Sequence, residues 1–258
     1  MRVRILGCNG GIGGRHLRTT AMLVDHDILI DAGTGVGELS LDELGRIDHV
    51  FITHAHLDHI AALPLLIDAV ADRRERPVTV YATEATLGIL KSHVFNWAIW
   101  PDFSDISIRA DAVMQYQPIE IGQPVRLGAR TLTAVPAVHT VPAVGYQLDS
   151  GAGSLVYTGD TTCNDALWPL LNAIDKLRLL IIETAFSNQE AALARVSKHL
   201  CPSLLQAELA RLTRPVDVYI THLKPGQAEQ IMHEIGACET AGGRITPGML
   251  QNNQVFEF

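Results

Sequence analysis

The sequence predicts a layered α/β protein in which two sheets pack face to face with helices outside. Three observations predict it. Short apolar, strand-like segments recur between turn residues. Helix-like segments follow them, and the order of strands then helix occurs twice, once in each half. The 258 residues are 47% hydrophobic and 19% charged, enough for one large domain with a sizeable core. No low-complexity stretch, Ser/Gly linker or short repeat divides them, so residues 1–258 are expected as a single domain.

In the first half, strands are expected at 3–6, 21–24, 28–30 and 49–52, with Asn9-Gly10-Gly11 and Asp31-Ala32-Gly33 as turns between them. Residues 57–70 are apolar in long patches and are expected as one helix with a buried face. A strand at 78–81 and a helix at 83–94 follow. Residues 95–117 are less regular. They include an aromatic-rich stretch from Asn96 to Phe103, broken by Pro101, in which Trp97 and Trp100 suit packing under a loop and substrate contact equally well. The second half returns to strands at 125–127, 131–135, 144–148, 154–157, 179–182 and 216–220, with helices at 204–212 and 226–235.

The net charge is −8. A chain that follows a long nucleic-acid backbone usually carries a basic face, so the balance disfavours that partner. A small anion remains compatible, because bound metal ions supply positive charge locally. The four cysteines (Cys8, Cys163, Cys201 and Cys238) show no CxxC pair and are expected as buried or half-buried free thiols. The first residues run straight into a strand without the apolar stretch of a signal peptide, and no apolar run reaches the ~18 residues of a membrane span. A reduced cytoplasmic enzyme is the expectation.

The chemistry begins at Phe51-Ile52-Thr53-His54-Ala55-His56-Leu57-Asp58-His59, where a strand gives way to a helix. Imidazole suits zinc and similar metals, and carboxylate suits harder ones. In an extended stretch, residues two apart point to one side, so His54 and His56 could grip one ion together. Asp58 and His59 begin the next turn and could hold a second. Three later residues each follow an apolar, strand-like run: His139, Asp160 and His222. Each alone is weak. Together with the first cluster they make seven candidate ligands, about what two ions need when one carboxylate bridges.

This pattern, HxHxDH followed by a distant His, a Gly-Asp and a final Thr-His, resembles the metallo-β-lactamase superfamily over nearly the whole chain. The resemblance implies a four-layer αββα sandwich with a metal site at one edge between the sheets. It also implies two divalent metal ions, zinc first, with manganese or iron(II) as alternatives. His54, His56 and His139 would hold the first metal. Asp58, His59 and His222 would hold the second, and Asp160 would bridge. Asp31 resembles the superfamily's early aspartate, which supports the metal shell from behind. True β-lactamases of this fold commonly carry cysteine where Asp160 stands, which counts against antibiotic hydrolysis.

Three segments are most similar to class II 3',5'-cyclic-nucleotide phosphodiesterases. They are the run from His54 to Ala69, the aromatic segment from Phe95 to Phe103, and the pair Ser197-Lys198-His199-Leu200 with His222-Leu223-Lys224-Pro225. That family usually has serine where Asp68 stands, and often glycine or serine where Ala62 stands. His199 has a separate chemical case. Cleaving a phosphodiester needs a nucleophile, charge neutralisation and a proton for the leaving oxygen. An imidazole outside the ligand set could supply the proton, and Glu183 could orient it and raise its pKa. This Glu–His pairing also resembles tRNA 3'-processing endonucleases of the superfamily.

The activity implied is hydrolysis of cAMP or cGMP to the 5'-monophosphate by hydroxide activated at a metal pair. Asp58, His199 and Glu183 are the candidate catalytic residues, and Lys224 and His199 the candidate substrate contacts. The alternatives are a tRNA 3'-processing endonuclease, which would need a basic arm that the sequence does not show, and a thioester or lactone hydrolase. Relatives are commonly homodimers, so a homodimer is also expected.

Overall fold

A computed structural model describes residues 1–14, 16–108, 111–237 and 245–258. Two seven-stranded sheets dominate it. Across the N-terminal sheet the strands run in the order Val255–Glu257, Arg2–Gly7, Ala21–Val24, Ile28–Ile30, His49–Phe51, Val78–Ala82 and Met114–Pro118. The first four are antiparallel neighbours, and from Ile28–Ile30 onward the pairing is parallel. The C-terminal sheet repeats the plan. Pro124–Leu127, Arg130–Pro136, Val144–Asp149 and Ser154–Tyr157 are antiparallel, then Leu177–Glu183, Asp217–Thr221 and Gly248–Met249 continue in parallel.

Side chains alternate across each pleat, which sorts them into layers. Ile28 and Ile30 face inward with Met22, Phe51, Tyr146, Leu155 and Ile181, making a core shared by both sheets. Leu29 and Val50 point outward, to Leu63, Leu66 and Ile67 of the helix Leu63–Val70 and to Leu87 and Leu90 of the helix Glu84–His93. On the other side Val156, Leu180 and Ile220 meet the helices Leu167–Ala173, Pro202–Leu209 and Ala228–Ala237 through Trp168, Leu171, Leu205 and Ile231. Helices, sheet, sheet and helices therefore stack as four layers, the αββα arrangement expected. No helix among the described residues is long and apolar enough to cross a membrane.

The structure corrects four expectations. Residues 57–70 are not one helix but two, Leu57–Ile60 and Leu63–Val70. Pro64 lacks an amide hydrogen and its ring crowds the carbonyl of residue 60, while the amide of Ala62 donates outside the helix, to the carbonyl of Ala32 at 2.8 Å. The expected irregular stretch 95–117 ends in an ordered strand, Met114–Pro118, which extends the N-terminal sheet beside Val78–Ala82. The helices Leu167–Ala173 and Ala191–Val196, for which no helix was expected, are present, each too short to show a clear apolar period. Cys8 and Cys201 are buried free thiols, but Cys163 is exposed, because it lies in the irregular loop after the strand Ser154–Tyr157. Cys238 lies outside the described residues.

Candidate metal centre

The strands that point toward one edge of the sandwich place the seven candidate ligands. The strand His49–Phe51 ends there, and the chain turns through His54 and His56 into the helix Leu57–Ile60, with Asp58 in its first turn. Gly33 permits the approach, since a Cβ there would lie 2.2 Å from the Asp58 carbonyl. In the C-terminal sheet, Arg130–Pro136, Ser154–Tyr157 and Asp217–Thr221 run in one direction, because the intervening Val144–Asp149 is antiparallel to both its neighbours. His139, Asp160 and His222 follow those three strands. His222 has a left-handed backbone (φ 63°) and packs against Gly10, where a Cβ would lie 2.8 Å from its ring.

The structure brings all seven together in two groups: His54, His56, His139 and Asp160, and Asp58, His59, His222 and Asp160. Within each group the donor atoms lie within 4.8 Å of one another. Asp160 Oδ2 is central. It lies 3.3 Å from His222 Nε2, 3.4 Å from His59 Nε2, 3.6 Å from His54 Nε2 and 4.0 Å from His139 Nε2. His56 Nδ1 is 3.2 Å from both His54 Nε2 and His139 Nε2. His56 and Asp58 are half-buried, and the other five are buried.

A buried layer behind the imidazoles decides which nitrogen faces inward. Asp31, itself in a left-handed conformation (φ 55°), accepts from the Thr53 amide and hydroxyl and from His59 Nδ1 at 2.7 Å. With its proton directed to Asp31, the Thr53 hydroxyl accepts from His54 Nδ1 at 3.0 Å. His139 Nδ1 donates to the Lys198 carbonyl at 3.2 Å. Each of these three rings therefore directs its Nδ1–H outward and turns Nε2 toward Asp160. Sequence reasoning missed Thr53 and Lys198. Each stands directly before a candidate histidine, and that adjacency was the available signal.

Burial holds His54 and His222 well below the usual imidazole range, lowers His56, and takes His139 down to about 4. Burial also opposes charge on His59, yet Asp160 and Asp31 beside it hold it well above the usual range. Asp160 is desolvated, but His222 and His59 outweigh that and keep it well below the carboxylate range. The donors are therefore mostly neutral imidazoles around a carboxylate. Asp160 Oδ1 and His59 Nε2 are buried without a hydrogen-bond partner. Burying polar atoms unpaired is costly, and a cation would satisfy both. The donor set fits divalent metal.

Glu183 and His199 form a second buried pair. His199 Nδ1 donates to Glu183 Oε1 at 2.7 Å, and the same carboxylate accepts from the amides of Thr161, Ala185 and Leu200. The His199 ring lies 4.9 Å from the His139 ring and 5.1 Å from that of His222, between the two ligand groups. Burial works against charge on His199, but Glu183 outweighs it and raises the imidazole above its usual range. Burial raises Glu183 in turn. Lys224 Nζ donates to the Gly10 carbonyl at 2.9 Å and lies 3.3 Å from His222 Nε2. Of the aromatic segment, Trp97 is exposed in a left-handed conformation, while Trp100 packs partly against the outer core of the N-terminal sheet.

The family described as the beta-lactamase superfamily domain matches residues 26–241. The chain belongs to this superfamily. A probable 3',5'-cyclic-nucleotide phosphodiesterase of Yersinia pestis is 29% identical over 203 residues, covering 69% of this chain and 57% of its own length. A 3',5'-cyclic-nucleotide phosphodiesterase of Aliivibrio fischeri is 27% identical over 272 residues, covering 85% and 80%. Ribonuclease Z of Haloarcula marismortui is 28% identical over 160 residues, covering 58% and 47%. Among solved structures, unliganded yeast PDE1 superposes with a TM-score of 0.83 at 17% identity, covering 100% of this chain and 99% of its own. This superfamily member is a metal-binding hydrolase of the metallo-β-lactamase fold, with histidine and aspartate groups able to hold divalent metal.

Proposed function

We propose that the protein is a phosphodiesterase that opens 3',5'-cyclic nucleotides to 5'-monophosphates. The observation that carries this reading is the buried Glu183–His199 pair, set between His139 and His222 and outside both ligand groups. The two cyclic-nucleotide phosphodiesterases among its relatives support the substrate class. His54, His56, His139 and Asp160 would hold one ion and Asp58, His59, His222 and Asp160 the other, with zinc the best match to so many imidazoles. Two bound divalent ions supply Lewis acidity to the phosphoryl oxygens and lower the pKa of water.

The remaining steps belong to the protein. Glu183 accepts the Nδ1 proton of His199, which fixes the ring and presents Nε2 to the site. Water attacks phosphorus in line with the 3'-oxygen, the P–O3' bond breaks, and His199 Nε2 delivers its proton to that oxygen. The proton shed by the water passes to solvent, from which the imidazole is protonated again. The Glu183 charge favours the protonated imidazole that this step consumes. Lys224 can contribute a positive charge to the phosphate from its place beside His222.

The test is release of 5'-AMP from 3',5'-cAMP by metal-loaded protein, beside bis(p-nitrophenyl) phosphate and a tRNA precursor. Turnover of cAMP that a chelator abolishes is the expected result. Turnover of the generic diester or the tRNA precursor without cAMP would move the substrate to the ribonuclease Z reading. Silence on all three would turn the reading toward thioesters and lactones.

A further inference from the structure

The helix Ala191–Val196 ends in an arrangement that normally calls for glycine. The Lys198 amide donates to the Arg195 carbonyl at 3.3 Å and the His199 amide to the Ala194 carbonyl at 2.8 Å. This is the double closure of a Schellman motif, whose left-handed residue is usually glycine because a Cβ is strained there. Lys198 occupies it with φ 54°. A strained residue held beside a candidate site points to a use for its side chain. The Lys198 side chain is half-buried, and its Nζ donates to the His139 carbonyl at 2.9 Å. His139 Nδ1 donates back to the Lys198 carbonyl at 3.2 Å.

We propose that Lys198 is a positioning residue that clamps His139 from two sides. The carbonyl fixes the imidazole tautomer and turns Nε2 toward His56. The ammonium fixes the backbone that carries the ring. Because His199 is the next residue, one clamp also sets the spacing between His139 and the proposed proton donor. Glycine would relieve the backbone strain and keep the carbonyl, but it could not reach the His139 carbonyl. Lysine therefore trades helix-end comfort for order in the site, a stability–function compromise. This inference rests on the metal-centre reading above.

Lys198→Gly separates the two halves of the clamp, because it preserves the Schellman motif and deletes only the ammonium bond. Full-length metal-free protein should melt within about 3 °C of the wild type, since relieved strain offsets the lost bond. Its affinity for Co2+, followed by visible absorption with a competing chelator, should fall about tenfold with an altered band shape. Lys198→Arg, which keeps a donor, should recover most of both. Co2+ affinity and spectrum equal to wild type in the glycine variant would overturn the proposal. So would unchanged Co2+ binding with a raised KM for bis(p-nitrophenyl) phosphate, which would assign the ammonium to substrate. A melting temperature far below wild type would also overturn it, by making the side chain a structural one. Failure of the wild type itself to take up Co2+ would instead reject the metal-centre reading.

Discussion

The N-terminal sheet delivers its four candidate ligands in one run, His54 to His59, from a single strand end. From the C-terminal sheet come three, His139, Asp160 and His222, each from a different strand. Their support differs as well. The first set is backed by a buried side-chain network of Asp31 and Thr53. In the second, a backbone carbonyl backs His139, while His222 Nδ1 is buried without a hydrogen-bond partner among the described residues. The neighbouring Glu183, partner of His199, is held by three amides. A local cluster needs only one loop to be right. A dispersed one needs the register of a whole sheet, so rigid main-chain groups are the natural anchors for it.

The largest effect should come from the residue that joins the two sets. Asp160→Ala removes the oxygen around which four imidazoles converge. Both metals should be lost, with diester hydrolysis down by roughly 10³-fold or more, as read by metal analysis and turnover together. If Asp160→Ala kept one ion tightly bound, the two groups would be independent rather than bridged.

His199→Ala should leave metal content intact and slow turnover by about 100-fold or more. Unchanged turnover would remove His199 from the proton-transfer role while leaving the ligand groups untouched. Asp31→Ala should weaken metal binding about 10–100-fold, most in the group containing His59, which it holds directly, and less in the group containing His54, which it reaches through Thr53. It should also lower the unfolding midpoint, since buried donors are left unpaired. Equal loss from both groups would mean that the Asp31 network supports the whole centre.

Glu183→Gln should give the smallest change and a directional one. Burial disfavours the His199 imidazolium, and the Glu183 carboxylate outweighs it to raise the pKa. A neutral amide removes that charge, so the His199 pKa falls and its protonated form is lost at lower pH. The alkaline limb of the kcat/KM profile should move to lower pH. A shift to higher pH would contradict the assigned pairing.

Much of this was legible in the chain. The short apolar runs and flanking turn residues around Ile28–Ile30 and Ser154–Tyr157 foretold the strands, because a strand covered on both faces reads as a nearly continuous apolar run. The crowding of His54, His56, Asp58 and His59 was visible because neighbours in sequence are neighbours in space. The break at Ala61-Ala62 was missed, since the apolar pattern continues across it while hydrogen bonding does not. Helices as short as Leu167–Ala173 form through packing on a sheet rather than through their own propensity, which leaves little local signal.

By itself, the sequence determined the layered class and the residue types of the candidate centre. Only the tertiary structure decided that His139, Asp160 and His222 meet the first cluster. Strand direction sends all three strand ends to one edge, and direction is a property of the sheet. Likewise, the tertiary structure alone decided which imidazole nitrogen faces inward, through Asp31, Thr53 and Lys198. A tautomer is chosen by the partner at the other end of the ring, and that partner can come from a distant part of the chain.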